Sequence, residues 1–308
     1  MNSVIKVKNL VKKFNGIKAV DNVSFDIKTN EVFGFLGPNG AGKTTTIRIL
    51  TGVLAPDDGE VEFNGVDVSK NKIKMKEKIG VAPEISNAYS ELSGFQNLVL
   101  TGQLYGLSKK ECIDRSKKLI KEFGLTEHSD ALFKNYSKGL KRRLILAMSL
   151  INNPTILFLD EPTSGLDVKS KRFIHNKIKE INDKGVTVFL TTHNILEADQ
   201  LCDRVAIINN NLIVVERPEI LKNKIEETKS IIVSFSSKLD KNLLTQSQNA
   251  LKVTKVGDKY RVYSNNIDGL IREVIELTEQ KEIEIVSLDT KGPSLEDVFQ
   301  KFTEGGSQ

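Results

Sequence analysis

Nine consecutive residues, Gly37-Pro38-Asn39-Gly40-Ala41-Gly42-Lys43-Thr44-Thr45, have the composition and spacing of a loop that wraps phosphate groups. The glycines let backbone N–H groups converge on anionic oxygens with no Cβ in the way. The positive end of a following helix adds to that attraction. Lys43 is placed to reach the β- and γ-phosphates of a nucleotide, and the Thr44 hydroxyl to bind Mg2+. A glycine-rich turn that happens to precede a lysine is the rival explanation. The flanks argue against it: the apolar run Val32-Phe33-Gly34-Phe35-Leu36 reads as a buried strand, and Thr44 to Leu50 as a helix with Ile47 and Leu50 on one face. The pattern implies binding of ATP or GTP.

Such a loop needs metal handling and a means of placing water. The run Ile156-Leu157-Phe158-Leu159-Asp160-Glu161 offers both, as a buried strand delivering two adjacent acids at its end. Successive strand residues point to opposite faces, but at a strand's end they can diverge to separate tasks. Asp160 suits a carboxylate that holds Mg2+ through its water shell. Glu161 suits the group that orients or deprotonates an attacking water.

The elements that must position these groups follow from the hydrophobic pattern. Val4 to Val7 and Val23 to Ile27 alternate as half-buried strands, and residues 1 to about 82 read as strand-rich with one phosphate-binding helix. From about Glu84 to Leu150 the pattern turns helical, with a capping box at Ser108 and Glu111 and a helix closed by Gly124. Buried strands at 156–159 and 186–190 then alternate with a helix over 170–182, which indicates a parallel sheet covered on both faces. Asn209-Asn210-Asn211 suits a tight hairpin. Beyond Arg217-Pro218 the pattern breaks into a charged connector. A small α+β unit follows, with strands at 231–235, 260–263 and 283–286, a helix through Ile267 to Ile275, and a last helix starting at Ser294 with Asp297 as its box partner.

At 308 residues the chain can hold two domains. Its longest apolar run, Leu144 to Ile151, is far short of a membrane span, and its first residues lack a signal-peptide layout. Cys112 and Cys202 fit a reduced cytosolic compartment better than a disulfide framework. The net charge of +5 comes from lysines spread along helix faces without interleaved aromatics, so no nucleic-acid partner is expected.

Over residues 4 to about 216 the chain resembles the ATP-binding subunit of an ABC transporter, with the family's motifs in the family's order. Ser137-Lys138-Gly139-Leu140 after Tyr136 stands where the family signature falls, 23 residues before Asp160. The resemblance implies that Ser137 and Gly139 begin a helix facing a γ-phosphate across a dimer, that Ser164-Gly165-Leu166-Asp167 is the D-loop, that His193 donates to the γ-phosphate, and that Phe14 stacks on adenine. A core phenylalanine is the serious rival at Phe14. His128 and His175 match no motif and are expected at the surface. Two departures stand out: Glu84 replaces the family's Q-loop glutamine, where it can still ligate Mg2+ or water, and the signature reads Tyr-Ser-Lys-Gly-Leu. Both resemble the branch serving ABC-2-type exporters, as does the ending Ser294-Leu295-Glu296-Asp297-Val298-Phe299.

The expected fold is α/β: a phosphate-loop NTPase cassette over 1–216, mostly parallel sheet with an N-terminal antiparallel β subdomain and a helical subdomain at about 84–150. A linker at 217–228, an accessory α+β domain at 229–303 and a tail at 304–308 complete it. The expected activity is ATP hydrolysis with ATP and Mg2+, in a homodimer or heterodimer of cassettes attached to an integral membrane permease at the cytoplasmic face of the membrane. A soluble ATPase acting on ribosomes or DNA, and a non-transport nucleotide-sensing subunit, are the alternatives.

Overall fold

A computed structural model describes residues 3–223, 229–292, 295 and 298–299. The chain forms two compact units, Met1–Arg217 and Pro218–Gln308. In the first, β1 (Ser3–Phe14) and β2 (Ile17–Lys28) make a long hairpin. β4 (Asp58–Phe63) joins the free edge of β1 and β5 (Val66–Asp67) joins β4, giving an antiparallel sheet ordered β2-β1-β4-β5.

The second sheet contains β3 (Val32–Leu36), β6 (Ile79–Ala82), β7 (Ile156–Asp160), β8 (Thr187–Thr192), β9 (Arg204–Asn209) and β10 (Asn211–Glu216) in the order β10-β9-β3-β8-β7-β6. All neighbours are parallel except β10, which returns through a one-residue turn at Asn210 with φ +63°. β3 and β7 are buried at every position, which is why they read as unbroken apolar runs. Aromatic rings fasten the two sheets together. Phe25 of the antiparallel sheet stacks on Phe33 at 5.5 Å, and Phe35 and Phe158 lie 5.4 and 5.7 Å from Phe189. Each such buried ring contributes about 1.5–3 kcal/mol.

The helices of this unit are α1 (Lys43–Leu50), α2 (Lys72–Lys78), α3 (Gly94–Leu104), α4 (Lys109–Glu122), α5 (Lys138–Met148), α6 (Val168–Asp183) and α7 (Ile195–Leu201). α2 is a second helix in the stretch expected to hold one. The capping box expected at Ser108 and Glu111 is formed, and Ser93 with Gln96 makes another at the start of α3. Gly124, at φ +62°, closes α4 in the left-handed conformation that glycine tolerates.

Strand register decides what meets at the sheet's edge. Leu36 pairs with Thr192 and Asp160 with Thr191, so the carboxyl ends of β3, β8 and β7 lie side by side. Ala82 pairs with Leu159, so the chain leaves β6 toward Glu84 beside the end of β7. In open parallel sheets that edge is where ligands bind.

The second unit begins with α8 (Pro218–Asn223), inside the stretch expected as a linker; a proline at the first helical position explains the start. β11 (Lys229–Phe235), α9 (Lys241–Thr245), β12 (Lys252–Val256), β13 (Lys259–Ser264), α10 (Ile267–Gln280) and β14 (Ile285–Lys291) form an antiparallel sheet ordered β12-β13-β11-β14. This is the split βαβ pattern, with Ile231, Val233, Val262, Leu270 and Val274 in its core. The capping box expected at Ser294 and Asp297 lies outside the described residues.

Candidate functional site

The phosphate loop runs from the end of β3 into α1. Gly40 and Gly42 have φ of +86° and +91°, and a Cβ on Gly42 would run into the Ala19 carbonyl. Lys43 is buried and donates from Nζ to the Gly37 and Pro38 carbonyls at 2.8 and 3.1 Å. Asn39, Gly40, Gly42, Lys43, Thr44 and Thr45 line a cavity of about 170 Å³ with Ala19 and Glu161.

The acid pair meets the first turn of α1. Thr44 Oγ1 donates to Asp160 Oδ2 at 2.9 Å, and Thr191 Oγ1 donates to Asp160 Oδ1 at 2.6 Å. Glu161 lies 3.3 Å from Lys43 Nζ through Oε1 and 2.8 Å from His193 Nδ1 through Oε2. In a regular strand these neighbours would face opposite ways. Glu161 instead has φ +47°, which brings both carboxylates to Lys43 and Thr44. A left-handed residue with a side chain costs about 1–2 kcal/mol, strain of the kind that clusters at functional sites. Bonds from Glu161 N–H to the Thr191 carbonyl and hydroxyl, at 3.1 and 3.2 Å, help hold it.

These groups fit a magnesium-bound triphosphate. Two hard oxygens, Thr44 Oγ1 and Asp160 Oδ2, stand together beside a buried ammonium, and the buried Glu161 Oε1 accepts no hydrogen bond. Among the described residues no group of three or more His, Cys, Asp or Glu could hold a metal alone, so phosphate and water oxygens would complete the shell.

His193 follows β8 and its side chain is 50% exposed, so its ring is open to solvent on one side. Glu84 is exposed two residues after β6 and makes no hydrogen bond or ion pair with Thr44 or Asp160 among the described residues. Phe14 ends β1 with 47% of its surface exposed and Lys12 Nζ 5.8 Å from its ring centre, so it is not a core residue.

Ser137, Gly139 and Asp167 gather elsewhere. Ser137 Oγ accepts from Leu140 N–H at 3.3 Å to cap α5, and Asp167 caps α6 by accepting from Ser170 N–H and Oγ at 2.9 and 2.8 Å. Those bonds hold the Asp167 carboxyl below its usual range. A Cβ on Gly139 would strike Ser170 Oγ. This second cluster makes no hydrogen bond to the phosphate loop of its own chain among the described residues.

Three groups here were not foreseen. Arg142 of α5 is buried and donates to the carbonyls of Pro83, Asp160, Glu161 and Pro162 at 2.6–2.7 Å. Burial pulls its pKa down, against the opposing charges of Asp160, Glu84, Glu197 and Glu161. Glu197 of α7 is buried and accepts from Thr163 Oγ1 at 2.7 Å, beside His175 Nε2 at 3.0 Å. Burial pushes its carboxyl up, but hydrogen bonds from His175, Thr192 and Thr163 outweigh that and hold it below the ordinary value. His175 corrects an expectation: its side chain is only 18% exposed, because the inward face of α6 carries it against Glu197. His128 is exposed, as expected.

Strand, phosphate loop and helix, with an acid pair two strand pairings away across β8, define a phosphate-loop nucleoside triphosphatase. A family profile described as ABC transporter matches residues 20–164. The bacitracin transport ATP-binding protein BcrA of Bacillus licheniformis is 32% identical over 321 residues, spanning 100% of this chain and 99% of that one. The daunorubicin/doxorubicin resistance ATP-binding protein DrrA of Streptomyces peucetius is 42% identical over 212 residues, covering 69% of this chain and 64% of the relative. A solved ATP-binding subunit of an ABC transporter superposes with a TM-score of 0.66 at 26% identity, covering 72% of this chain and 93% of that one. The dimeric cassette MJ0796 in a post-hydrolysis state, bound to ADP and Pi, gives 0.64 at 28% identity over 69% of this chain and 98% of that one. The chain belongs to the ATP-binding subunits of the ABC transporter family, which are ATPases that drive transport. No helix among the described residues is long and apolar enough to cross a membrane.

Proposed function

We propose that this chain is the ATP-hydrolysing subunit of an exporter of the ABC-2 type. It binds an integral membrane permease at the cytoplasmic face and works as a pair of cassettes that close on ATP and reopen after hydrolysis. The observation that carries the proposal is the meeting of Lys43 and Thr44 with Asp160, Glu161 and His193 at one sheet edge. The drug- and antibiotic-related names of the relatives support the export direction.

In this scheme the glycine-rich loop binds the phosphates through its N–H groups. Lys43 exchanges its loop carbonyls and Glu161 for phosphate oxygens, a stronger charge-assisted partner. Thr44, Asp160 and Glu84 would hold Mg2+, which when bound would neutralise phosphate charge and orient the triphosphate. Glu161 orients the attacking water and accepts its proton, and His193 serves as a donor to the γ-phosphate. Ser137, Gly139 and Asp167 face the nucleotide of the other cassette, which accounts for their separation from this chain's own loop. Phe14 offers a stacking face to adenine.

Light scattering of the purified chain with Mg-ATP, with ADP and without nucleotide tests the scheme. A Glu161→Gln chain is expected to reach twice the 34.3-kDa monomer mass only with ATP. A monomer under every condition would refute the paired site.

A further inference from the structure

The guanidinium of Arg142 spans backbone from two separate segments. Nε donates to Pro162 O at 2.7 Å, Nη1 to Pro83 O at 2.6 Å, and Nη2 to Asp160 O and Glu161 O at 2.6 Å each. The residue is only 8% exposed. Three of its four acceptors are consecutive carbonyls that bracket Glu161, the residue whose φ of +47° departs from the strand. The fourth belongs to Pro83, adjoining Glu84.

A buried charge is costly unless fully bonded. Here the charge is spread over four carbonyls, and the planar fork matches them in a way that a single ammonium with three donors cannot. The Asp160–Pro162 backbone is therefore fixed from one side by Arg142 and from the other by Thr191, whose carbonyl and hydroxyl accept from Glu161 N–H. From that backbone the Glu161 side chain reaches Lys43 and His193.

We infer that Arg142 is a positioning residue for hydrolysis: it holds the left-handed backbone of Glu161 so that the carboxylate faces the attacking water, and ties that backbone to the segment carrying Glu84. The inference rests on the proposed role of Glu161. On this inference Arg142 acts on the chemical step mainly through Glu161, so its loss should matter far more while Glu161 can act.

The test is a double-mutant cycle in the full chain, with Arg142→Lys and Arg142→Gln each made in the natural and the Glu161→Gln backgrounds. Mg-ATP turnover is normalised to the fraction of molecules that bind a fluorescent nucleotide, so that partial unfolding drops out. In the natural background either substitution is expected to lower kcat at least tenfold with KM changed less than threefold. In the Glu161→Gln background the same substitution should change the residual rate less than threefold. An equal loss in both backgrounds, or a change confined to KM, would overturn the inference and leave Arg142 a structural residue. If Glu161→Gln alone leaves turnover intact, the proposed site itself fails, a result separable from failure at Arg142.

Discussion

Replacing Glu161 by glutamine keeps the shape of the side chain and removes its charge and basicity. The structure sets what this should do. Glu161 is buried, lies 3.3 Å from Lys43 and contacts His193 at 2.8 Å, so the amide fills the same space with a partner still in reach. The gross attraction lost with Lys43 is about 5 kcal/mol at an effective dielectric of 20. Relief of Glu161's own desolvation offsets part of that, but Lys43 stays buried with only the Gly37 and Pro38 carbonyls, so the nucleotide-free chain should lose some stability and regain it when phosphate binds. Nucleotide binding should hold or strengthen, because Lys43 no longer has a carboxylate competing for it. Turnover should collapse: loss of a positioned base costs about 10²–10⁴-fold, or about 3–5 kcal/mol of barrier. Phosphate release under saturating Mg-ATP, with nucleotide affinity measured in parallel, separates the two effects. Turnover within threefold of the natural chain, or a large loss of ATP affinity with unchanged kcat, would refute this role for Glu161.

Phe14→Ala should weaken ATP binding by about two- to tenfold, in line with about 0.5–1.5 kcal/mol for an aromatic stack, and leave Tm unchanged because the ring is exposed; equilibrium binding and thermal unfolding read both. Thr44→Ala should raise the Mg2+ concentration needed for half-maximal turnover, since it removes one of the two oxygens standing together at the site; a titration showing no shift would count against Thr44 as a ligand. Glu197 has a folded pKa below its ordinary value, so it contributes stability that is present above the unfolded value of about 4.5 and lost as pH falls through the folded one. Thermal unfolding of Glu197→Gln should therefore depend less on pH than that of the natural chain in the acid range below about 5, and equal slopes would contradict the network with His175 and Thr163.

Much of this site can be read from local sequence because its parts are local. The phosphate loop, the strand before it, the helix after it and the acid pair each depend on a few adjacent residues, and the hairpin at Asn210 follows from the tolerance of asparagine for positive φ. What the sequence hides depends on distant partners. Arg142 reads as one more cation on a charged helix, and nothing near it signals that the carbonyls of Pro83 and Glu161 will accept its bonds. His175 sits beside the buried stripe of Ile174, Ile178 and Ile181, one residue off a clear periodicity, and its partner Glu197 lies on another helix. Strand β12 carries two lysines and a single buried residue, Val253, so pairing with β13 defines it rather than any alternation of its own. Helix α9, five residues long, is too short for a periodic signal.

This chain is proposed to power a membrane exporter. Purification of the tagged chain from its native membranes in mild detergent, with mass spectrometry of what accompanies it, tests that claim most directly. A multi-span membrane protein is expected in stoichiometric amount, staying bound in the Glu161→Gln variant with ATP. Recovery of the chain with ribosomes or nucleic acid, and without such a membrane protein, would contradict it.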